Sequence, residues 1–345
     1  MAAARSLPSV FPPGWRPIDP ADLPDVARLE QAADVADGER FPTTLGDLTS
    51  MLLTPGQDLR QTSAAIEDPS GQLIAWCWLE PRLGGTMWNR IHVHGSVHPG
   101  SRGLGHGRAL LTWAEERGQE VFAAADGARR DLPDVLTVHA AASAESRARL
   151  QAQCGYALAR WYSDMFRSLT APLEPAPLPA GYRFIAWTRE RDDDYHAADV
   201  DAFRDHWGSA PRTPEGWRHE FADDDGFRPD LTVGVERAGQ LVGYVMMAAY
   251  SGITDDEGQL VAWLARLGVR RDHRGRGVGA AAIATALDLA RAAGFGTAGL
   301  SVDTESLTGA LRLYERLGFH AVKRLAIGVK TLRAAGAPAS AGPRS

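Results

Sequence analysis

The sequence has few cysteines and no long apolar run. Its 345 residues include two cysteines, Cys77 and Cys154, both in the N-terminal half of the chain, so a disulfide framework is excluded. A run of about 18 apolar residues is also missing, which excludes a membrane-spanning helix. The N-terminal residues lack the apolar stretch of a secretory signal. We therefore expect a cytoplasmic protein.

An excess of positive charge is missing as well. The formal net charge is −6. Residues 1–170 hold 16 basic and 20 acidic side chains, and residues 171–345 hold 21 and 23. Because nucleic-acid-binding proteins normally present a basic face, we expect neither nucleic acid nor a membrane as a partner. The apolar fraction of 44% and the charged fraction of 23% are those of globular domains.

One proline-rich segment divides the chain. Residues 170–179 contain four prolines, which fit neither a helix nor a central strand and favour a stiff linker. We therefore predict an N-terminal domain over residues 1–169 and a C-terminal domain over residues 180–333. The Ala/Gly/Pro/Ser-rich residues 334–345 are predicted to be a flexible tail.

The two halves contain a repeated motif. The pattern V-x4-R-G-x-G-x-G is present at Val97–Gly107 and again at Val269–Gly279, each time between a strand-like run and a helical run. A second similarity lies further on, where Leu150–Tyr156 matches Leu313–Phe319. Because internal similarity of this kind is the sequence signature of repeated structural units, we interpret the chain as two copies of one α/β unit.

The second copy has the clearer pattern of elements. Its predicted strands and helices imply a mixed, partly parallel sheet, that is, an α/β fold. The predicted elements are strand Leu231–Glu236, a tight turn at Ala238–Gly239, strands Leu241–Tyr250 and Leu260–Val269, helix 278–293 stopped by Gly294, strand Ala298–Val302, helix Leu307–Leu317 and a strand from His320 to about Val329. In the first copy the corresponding helix is predicted to stop at Gly118, before an enlarged loop around residues 123–134.

The glycine-rich turns have the chemistry of a phosphate site. Glycine lets the backbone bend sharply and approach a ligand, and the first amides of a helix have no internal acceptor. These amides attract an anion such as a pyrophosphate. The Walker pattern is excluded because neither turn contains Gly-Lys-Ser/Thr, and the dinucleotide fingerprint is excluded because the spacing is G-x-G-x-G.

The turns resemble motif A (R/Q-x-x-G-x-G/A) of the GCN5-related N-acetyltransferases, the GNAT superfamily. Ala310–Phe319 is similar to that family's A-x-x-L-Y-x-x-x-G-F helix. The resemblance implies two tandem acyl-CoA-binding domains, similar to mycothiol-synthase-like acetyltransferases, with acetyl-CoA as co-substrate. The cofactor-binding residues implied by it are Leu267, Val269, Arg274, Gly275, Arg276, Gly277, Val278, Gly279 and Ala280 in the second copy, and Arg102, Gly103, Leu104, Gly105, His106 and Gly107 in the first.

The resemblance also implies catalytic roles. The main chain of Leu267 and Val269 is expected to pair with the pantetheine arm, and the Leu267 amide to hold the thioester carbonyl. Tyr314 is expected to protonate the leaving thiolate. The first copy has Gln151 in place of this tyrosine. Since an amide cannot act as an acid, we predict that the C-terminal copy is catalytic and the N-terminal copy is not.

A general base is not evident. The family often places a carboxylate on the strand before motif A, but the corresponding positions here are Val261 and Ala262. The nearest acids are Asp255, Asp256 and Glu257, which either act through a water or form a solvated loop. After the next strand, Asp303 and Glu305 are candidates for a ligand site or for simple helix capping.

Two further groups of residues have alternative interpretations. Asp205, His206 and Trp207 either line the acceptor cleft or belong to a helix end. In the first copy, His92, His94 and His98 are spaced like metal ligands, but a catalytic zinc ion needs three ligands and no acid or cysteine stands close in sequence. We therefore predict no metal site.

The predicted function is an acetyl-CoA-dependent N-acetyltransferase that acetylates a small primary amine by direct attack. If the resemblance extends to the substrate, the acceptor is a glucosamine-type amine such as desacetylmycothiol. The alternative is a non-catalytic protein that binds or senses acyl-CoA. The sequence indicates neither the acyl-chain preference nor the oligomeric state.

Overall fold

The structure is a computed structural model, and it describes residues 11–125, 131–171, 176–306 and 309–336. The chain forms two compact units. Unit 1 contains the described residues up to Arg160, the short segment Gly208–Ala210 and the residues from Leu325 onward. Unit 2 contains Trp161–Trp207 and Pro211–Arg324.

The elements are numbered in chain order. The strands are β1 (Trp15–Arg16), β2 (Ser63–Glu67), β3 (Leu73–Arg82), β4 (Asn89–Val97), β5 (Asp134–Ala141), β6 (Ala157–Ser168), β7 (Tyr182–Ala186), β8 (Val233–Arg237), β9 (Gln240–Ala248), β10 (Ala262–Val269), β11 (Thr297–Asp303) and β12 (His320–Arg333). The α-helices are α1 (Leu23–Asp37), α2 (Leu45–Leu52), α3 (Leu59–Thr62), α4 (His106–Ala124), α5 (Glu145–Gln153), α6 (Asp192–Ala202), α7 (Pro214–Trp217), α8 (Val278–Ala292) and α9 (Ala310–Arg316).

Unit 1 is a mixed sheet with helices on both faces. Its strand order is β1-β2-β3-β4-β5-β12, in which β4 and β5 are parallel and the other pairs are antiparallel. Alternate residues of β4, such as Ile91 and Val93, pack against Trp113 of α4. On the other face, Trp76 and Trp78 of β3 pack against residues of α1 and α2.

Unit 2 repeats this arrangement. Its strand order is β6-β11-β10-β9-β8-β7, and again one pair, β10 with β11, is parallel. The alanine-rich helix α8 buries Ile283 and Leu287 against one face. Aromatic residues cover the other face, where Trp217 and Phe221 pack near Tyr244 of β9. The predicted α/β fold with a mixed sheet in each copy is confirmed.

Each unit takes one strand from the opposite half of the chain. Residues 325–333 of β12 pair with β5 and complete the sheet of unit 1. Residues 162–168 of β6 pair with β11 and complete the sheet of unit 2. The compact units therefore do not coincide with the linker at 170–179, and the division of the chain at that linker stays a prediction. The described linker residues lie in neither helix nor strand.

The predicted elements of the second copy are present, with ends that differ by a few residues, and the predicted start of the last helix at Leu307 lies outside the described residues. The helix before Gly294 spans Val278–Ala292, and Gly294 has the left-handed φ of 92° expected of a helix stop. The predicted stop at Gly118 is wrong, because α4 continues to Ala124. Gly118 serves packing: a Cβ there would lie 3.0 Å from the Leu136 side chain. Part of the predicted loop 123–134, residues 126–130, lies outside the described residues.

No helix in the described ranges is both long and apolar enough to cross a lipid bilayer.

Candidate active site

The strands β10 and β11 of unit 2 separate part-way along their length. Their parallel pairing runs from Ala262 opposite Ala298 to Leu264 opposite Leu300. On its other side β10 stays paired with β9 as far as Val269. The last five residues of β10 therefore leave a gap on the β11 side, as expected for a strand that receives an extended ligand.

Main-chain groups of β10 face this gap. Arg270 donates its amide hydrogen to the Val242 carbonyl at 2.9 Å, so Arg270 is a hydrogen-bonded partner of β9. Because such partners alternate along an antiparallel pair, the amide and carbonyl groups of Leu267 and Val269 point away from β9. These two residues are the ones predicted to hold the pantetheine arm and the thioester carbonyl.

The glycine turn follows directly. Gly275 and Gly277 have φ values of 71° and 81°, a left-handed conformation that glycine adopts at little cost. Gly277 is the N-cap of α8, and the first helical bond runs from the Ala281 amide to the Gly277 carbonyl at 3.0 Å. The amides of Val278, Gly279 and Ala280 precede that bond, as an anion site at a helix N-terminus requires.

The two arginines of the turn have different surroundings. Arg274 donates from Nε to the Val269 carbonyl at 3.2 Å and from its terminal nitrogen to the Ala202 carbonyl at 2.5 Å. It therefore fixes the turn against the end of β10. Arg276 lies between the two left-handed glycines and is exposed. Of the two, Arg276 is the one placed to attract a phosphate.

Tyr314 lies on the short helix α9, which begins after Gly309 and ends before Gly318. Its side chain is buried within the core of unit 2, with its ring centroid 5.9 Å from that of Phe319. Burial raises the pKa of the Tyr314 hydroxyl above its ordinary value of 10. The hydroxyl therefore carries its proton at neutral pH, which a proton donor to a thiolate requires.

Unit 1 repeats the backbone geometry of the gap and the turn. Pairing of β4 with β5 ends at His92 opposite Thr137. Gly103 and Gly105 have φ values of 77° and 90°. Arg102 donates from Nε to the Val97 carbonyl at 3.3 Å, as Arg274 does to Val269.

Comparison with known proteins agrees with this geometry. The profile of the Acetyltransferase (GNAT) family matches residues 158–319. Over 317 residues the chain is 30% identical to a protein of Salinispora arenicola named mycothiol acetyltransferase. The alignment covers 88% of this chain and 91% of the relative. The chain belongs to the GNAT acetyltransferase family. As a member of the family it uses acetyl-CoA as the acetyl donor.

Solved structures give the same result. A GCN5-related N-acetyltransferase from Sphaerobacter thermophilus superimposes with a TM-score of 0.73 at 27% identity, over 96% of this chain and 100% of that one. A tandem GNAT protein from the clavulanic acid biosynthesis pathway superimposes with a TM-score of 0.64 at 16% identity, over 92% and 98%. The second similarity concerns the fold alone, which is that of a tandem GNAT protein.

The two GNAT units differ in what lies at the gap. In unit 1, Arg147 of α5 donates to the Gly95 carbonyl at 3.4 Å and to Ser96 Oγ at 2.9 Å. Gln151, one turn later, donates to the His139 carbonyl at 2.9 Å. Two side chains thus occupy main-chain acceptors on both separated strands. Aligning the late glycines of the two copies, Gly155 and Gly318, places Ala310 and Tyr314 at the positions of Arg147 and Gln151.

The turns of the two units also differ in charge and space. Leu104, 71% exposed, stands in unit 1 where unit 2 has Arg276. The Leu150 side chain lies 2.7 Å from where a Cβ of Gly107 would be, whereas the nearest atom to a Cβ of Gly279 is 3.5 Å away. His106 is the first residue of α4, as Val278 is of α8. The turn of unit 1 is therefore less positive and more crowded.

A buried ionic network on the other face of unit 2 was not predicted from the sequence. Asp199 of α6 accepts hydrogen bonds from Arg266 Nε at 2.7 Å and from the Tyr244 hydroxyl. Burial opposes ionisation of Asp199, but the charge and hydrogen bonds of Arg266, with Tyr244, outweigh it and lower its pKa. The Arg266 guanidinium carbon lies 3.4 Å from the Phe203 ring centroid. The network fixes the strand residue next to Leu267.

The candidate acids have structural partners. Asp255 accepts from the amides of Glu257 and Gln259 at 3.1 and 2.9 Å and from Thr297 Oγ1, so it stabilises its own turn. Asp303 accepts from the Glu305 amide at 2.9 Å. These contacts favour the loop and capping interpretations over a role as general base. Asp256 lies in the same turn as Asp255.

The predicted acceptor-side segment is held at the surface of unit 2. Asp205, mostly exposed, forms an ion pair with Arg271. His206 Nδ1 lies 3.2 Å from the carbonyl of Trp207. These contacts assign the segment no chemistry, and its role stays a prediction.

The three histidines of the first copy separate into two groups. His98 is the N-cap of a short helical turn, where its Nδ1 accepts the Gly100 amide hydrogen at 3.2 Å. His92 and His94 share one face of β4, and a third histidine, His139 of β5, joins them. His139 lies more than forty positions further along the chain, and no spacing pattern in the sequence indicated it.

Proposed function

We propose that this protein transfers the acetyl group of acetyl-CoA to a primary amine of a small molecule, with unit 2 as the catalytic centre. The observation that supports this most directly is the gap beside β10. Main-chain groups of Leu267 and Val269 face it, and the first amides of α8 lie at its end. The need for acetyl-CoA also supports the expected cytoplasmic location, where the cell's acetyl-CoA pool lies.

Three groups of unit 2 have roles in the proposed reaction. The amides of Val278, Gly279 and Ala280 bind the diphosphate. The Leu267 amide donates to the thioester oxygen as negative charge develops there, a contact whose loss typically costs about 3–4 kcal/mol. The amine nitrogen forms the new bond to the acetyl carbon and loses one proton to water, and the carbon–sulfur bond breaks. The Tyr314 hydroxyl protonates the departing thiolate and regains its own proton from water.

Unit 1 is proposed to be non-catalytic. Its Gln151 has no acidic proton, and Arg147 and Gln151 are already bonded to the strands that would have to receive the pantetheine arm. The equivalent positions of unit 2 hold a small residue, Ala310, and an acid, Tyr314. Each of these differences supports turnover in unit 2.

For the acceptor we propose a mycothiol-type precursor. The support is the Salinispora arenicola relative, whose name is mycothiol acetyltransferase and which aligns along most of both chains. The nucleophile is then the cysteinyl amine of desacetylmycothiol, and not an amine of glucosamine type as expected from the sequence. It must be neutral to attack, so turnover should rise with pH as that amine loses its proton.

The experiment is an acceptor screen by mass spectrometry with acetyl-CoA, including desacetylmycothiol, glucosamine, amino acids and aminoglycosides. Tyr314→Phe is compared with Tyr156→Phe, which changes a buried tyrosine of unit 1. We expect kcat to fall by about 10²- to 10⁴-fold in Tyr314→Phe, the usual contribution of a general acid, and to stay unchanged in Tyr156→Phe. Unchanged turnover in both would remove Tyr314 from the acid role. Binding of acetyl-CoA without any acetylated product would favour the sensing alternative.

A further inference from the structure

Three histidines of unit 1 converge where β4 and β5 separate. His92 and His94 come from β4 and His139 from β5, and one ring nitrogen of each lies within 4.8 Å of the others. The closest pair is His92 Nε2 and His139 Nδ1 at 2.9 Å. His94 is in edge contact with His92, with ring centroids 4.5 Å apart. Three imidazoles thus share one small volume.

In two of these rings, one nitrogen lies within hydrogen-bonding distance of an oxygen atom outside the histidine cluster. His92 Nδ1 lies 2.7 Å from Thr137 Oγ1, and His94 Nε2 lies 3.1 Å from Glu80 Oε2. Histidines that bind metals usually donate their second ring nitrogen to a carboxylate, hydroxyl or carbonyl, which fixes the tautomer and the ring orientation. Glu80 and Thr137 are placed to do this.

The surroundings restrict the mobility and the charge of the rings. The His94 ring stacks on Trp78 with centroids 4.9 Å apart, and its side chain is 12% exposed. Burial, with the neighbouring histidines, lowers the pKa of His92 well below its ordinary value. A neutral imidazole is the form that binds a metal ion.

The repeat provides an internal comparison. The residues of unit 2 at the positions of His92 and His94, counted from the motif arginines, are Leu264 and Arg266. The strand register places Val302 at the position of His139. Unit 2 therefore has no imidazole at any of these places. The cluster is a feature of the unit in which Arg147 and Gln151 occupy the acyl-CoA gap, so acetyl transfer in unit 2 does not require it.

We propose that His92, His94 and His139 form a binding site for a divalent cation of the zinc type. Three histidine ligands with a fourth position for water or another ligand is a known arrangement for zinc. Ligand bonds of about 2.0–2.1 Å in a tetrahedron place nitrogens about 3.3 Å apart. The His92 and His139 nitrogens, now 2.9 Å apart, reach that separation by a movement of a few tenths of an ångström.

The first test is metal binding by the full-length protein. The protein is stripped with a chelator and titrated with Zn²⁺ in competition with a chromophoric chelator, and then with Co²⁺ to record its d–d absorption. We expect one site per chain with a tetrahedral cobalt spectrum. His94→Ala and His139→Ala should weaken binding by more than about 100-fold, and Glu80→Gln by about 10- to 100-fold, the usual effect of an outer-shell partner. His320→Ala, which changes an exposed histidine of unit 2, should have no effect.

X-ray absorption at the zinc edge of the wild-type protein keeps the test independent of the folding of the variants. The proposal requires about three nitrogen ligands at about 2.0–2.1 Å. Sulfur scattering near 2.3 Å would instead indicate Cys77 or Cys154. That result, equal zinc affinity in His94→Ala and wild type, or no binding at all would overturn the proposal. The site is independent of acetyl transfer, so its failure would leave the proposed function intact.

Discussion

Single residues decide whether the turn before α8 can bind a diphosphate. Gly277 has a φ of 81°, and nothing lies within 4 Å of the position where a Cβ would be. An alanine there has space but the wrong backbone preference, which costs about 1–2 kcal/mol. Relief of that strain would turn the amides of Val278 and Gly279 away from their present direction.

We therefore predict that Gly277→Ala raises the KM for acetyl-CoA by about tenfold, equivalent to about 1.4 kcal/mol. Initial-rate kinetics measure this. The matched control is Gly105→Ala, because Gly105 has the same role and a φ of 90° in unit 1. It should lower stability similarly and leave the KM unchanged. An equal rise in KM in both variants would contradict the assignment of catalysis to unit 2.

At the scale of elements, α5 and α9 are equivalent helices with opposite effects on the gap beside them. Arg147 of α5 donates to the Gly95 carbonyl, whereas Ala310 of α9 has a side chain too short to reach the strand across the gap. The side chain in the first turn of each helix is thus one determinant of an open gap, and Gln151 is a second one in unit 1.

A reciprocal exchange tests this. Ala310→Arg should abolish most turnover, because a guanidinium in the gap competes with the pantetheine arm for main-chain acceptors. Arg147→Ala should free the acceptors of unit 1 and raise the number of acetyl-CoA molecules bound per chain, measured by isothermal titration calorimetry. The control is Arg149→Ala, which changes an exposed residue of the same helix. Full activity in Ala310→Arg would show that the pantetheine arm does not enter this gap.

Local patterns in the sequence predicted the elements around the site well. The glycines of both turns, the helix after each and the left-handed Gly239 of the hairpin turn follow from backbone preferences of a few adjacent residues. Ala238, with a φ of 50°, adopts a left-handed conformation against its own preference. Contacts between segments that are distant in the sequence could not be predicted from such local patterns. Nothing in the spacing of His92 and His94 indicated His139, and nothing near Asp199 indicated Arg266.

At Gly118 the local pattern predicted a feature, a helix stop, that the structure does not have. The sequence context of Gly118 resembles a helix stop, yet the residue lies inside α4, where a Cβ would come within 3.0 Å of the Leu136 side chain. A glycine that is required by packing and one that is required by a positive φ look the same in a sequence.

At the scale of the whole molecule, the exchange of strands makes each unit depend on both halves of the chain. The sheet of unit 1 lacks its sixth strand without residues 325–333, and the sheet of unit 2 lacks its own without residues 162–168. A missing strand exposes the hydrogen-bonding groups of its neighbour and the apolar residues beneath it.

We predict that residues 180–333 expressed alone do not fold cooperatively, although the proline-rich linker predicts a domain with those bounds. A version that begins at residue 157 and includes β6 should regain a cooperative thermal transition. Circular dichroism and differential scanning calorimetry distinguish the two. Cooperative unfolding of 180–333 at the temperature of the full chain would show that β6 contributes little to unit 2.

The measurement that tests the central claim most directly is a crystal structure of the full chain with acetyl-CoA. We predict that the diphosphate accepts hydrogen bonds from the amides of Val278, Gly279 and Ala280, and that the thioester oxygen lies within hydrogen-bonding distance of the Leu267 amide. Acetyl-CoA bound only at the turn of unit 1, or with its diphosphate away from α8, would contradict the account.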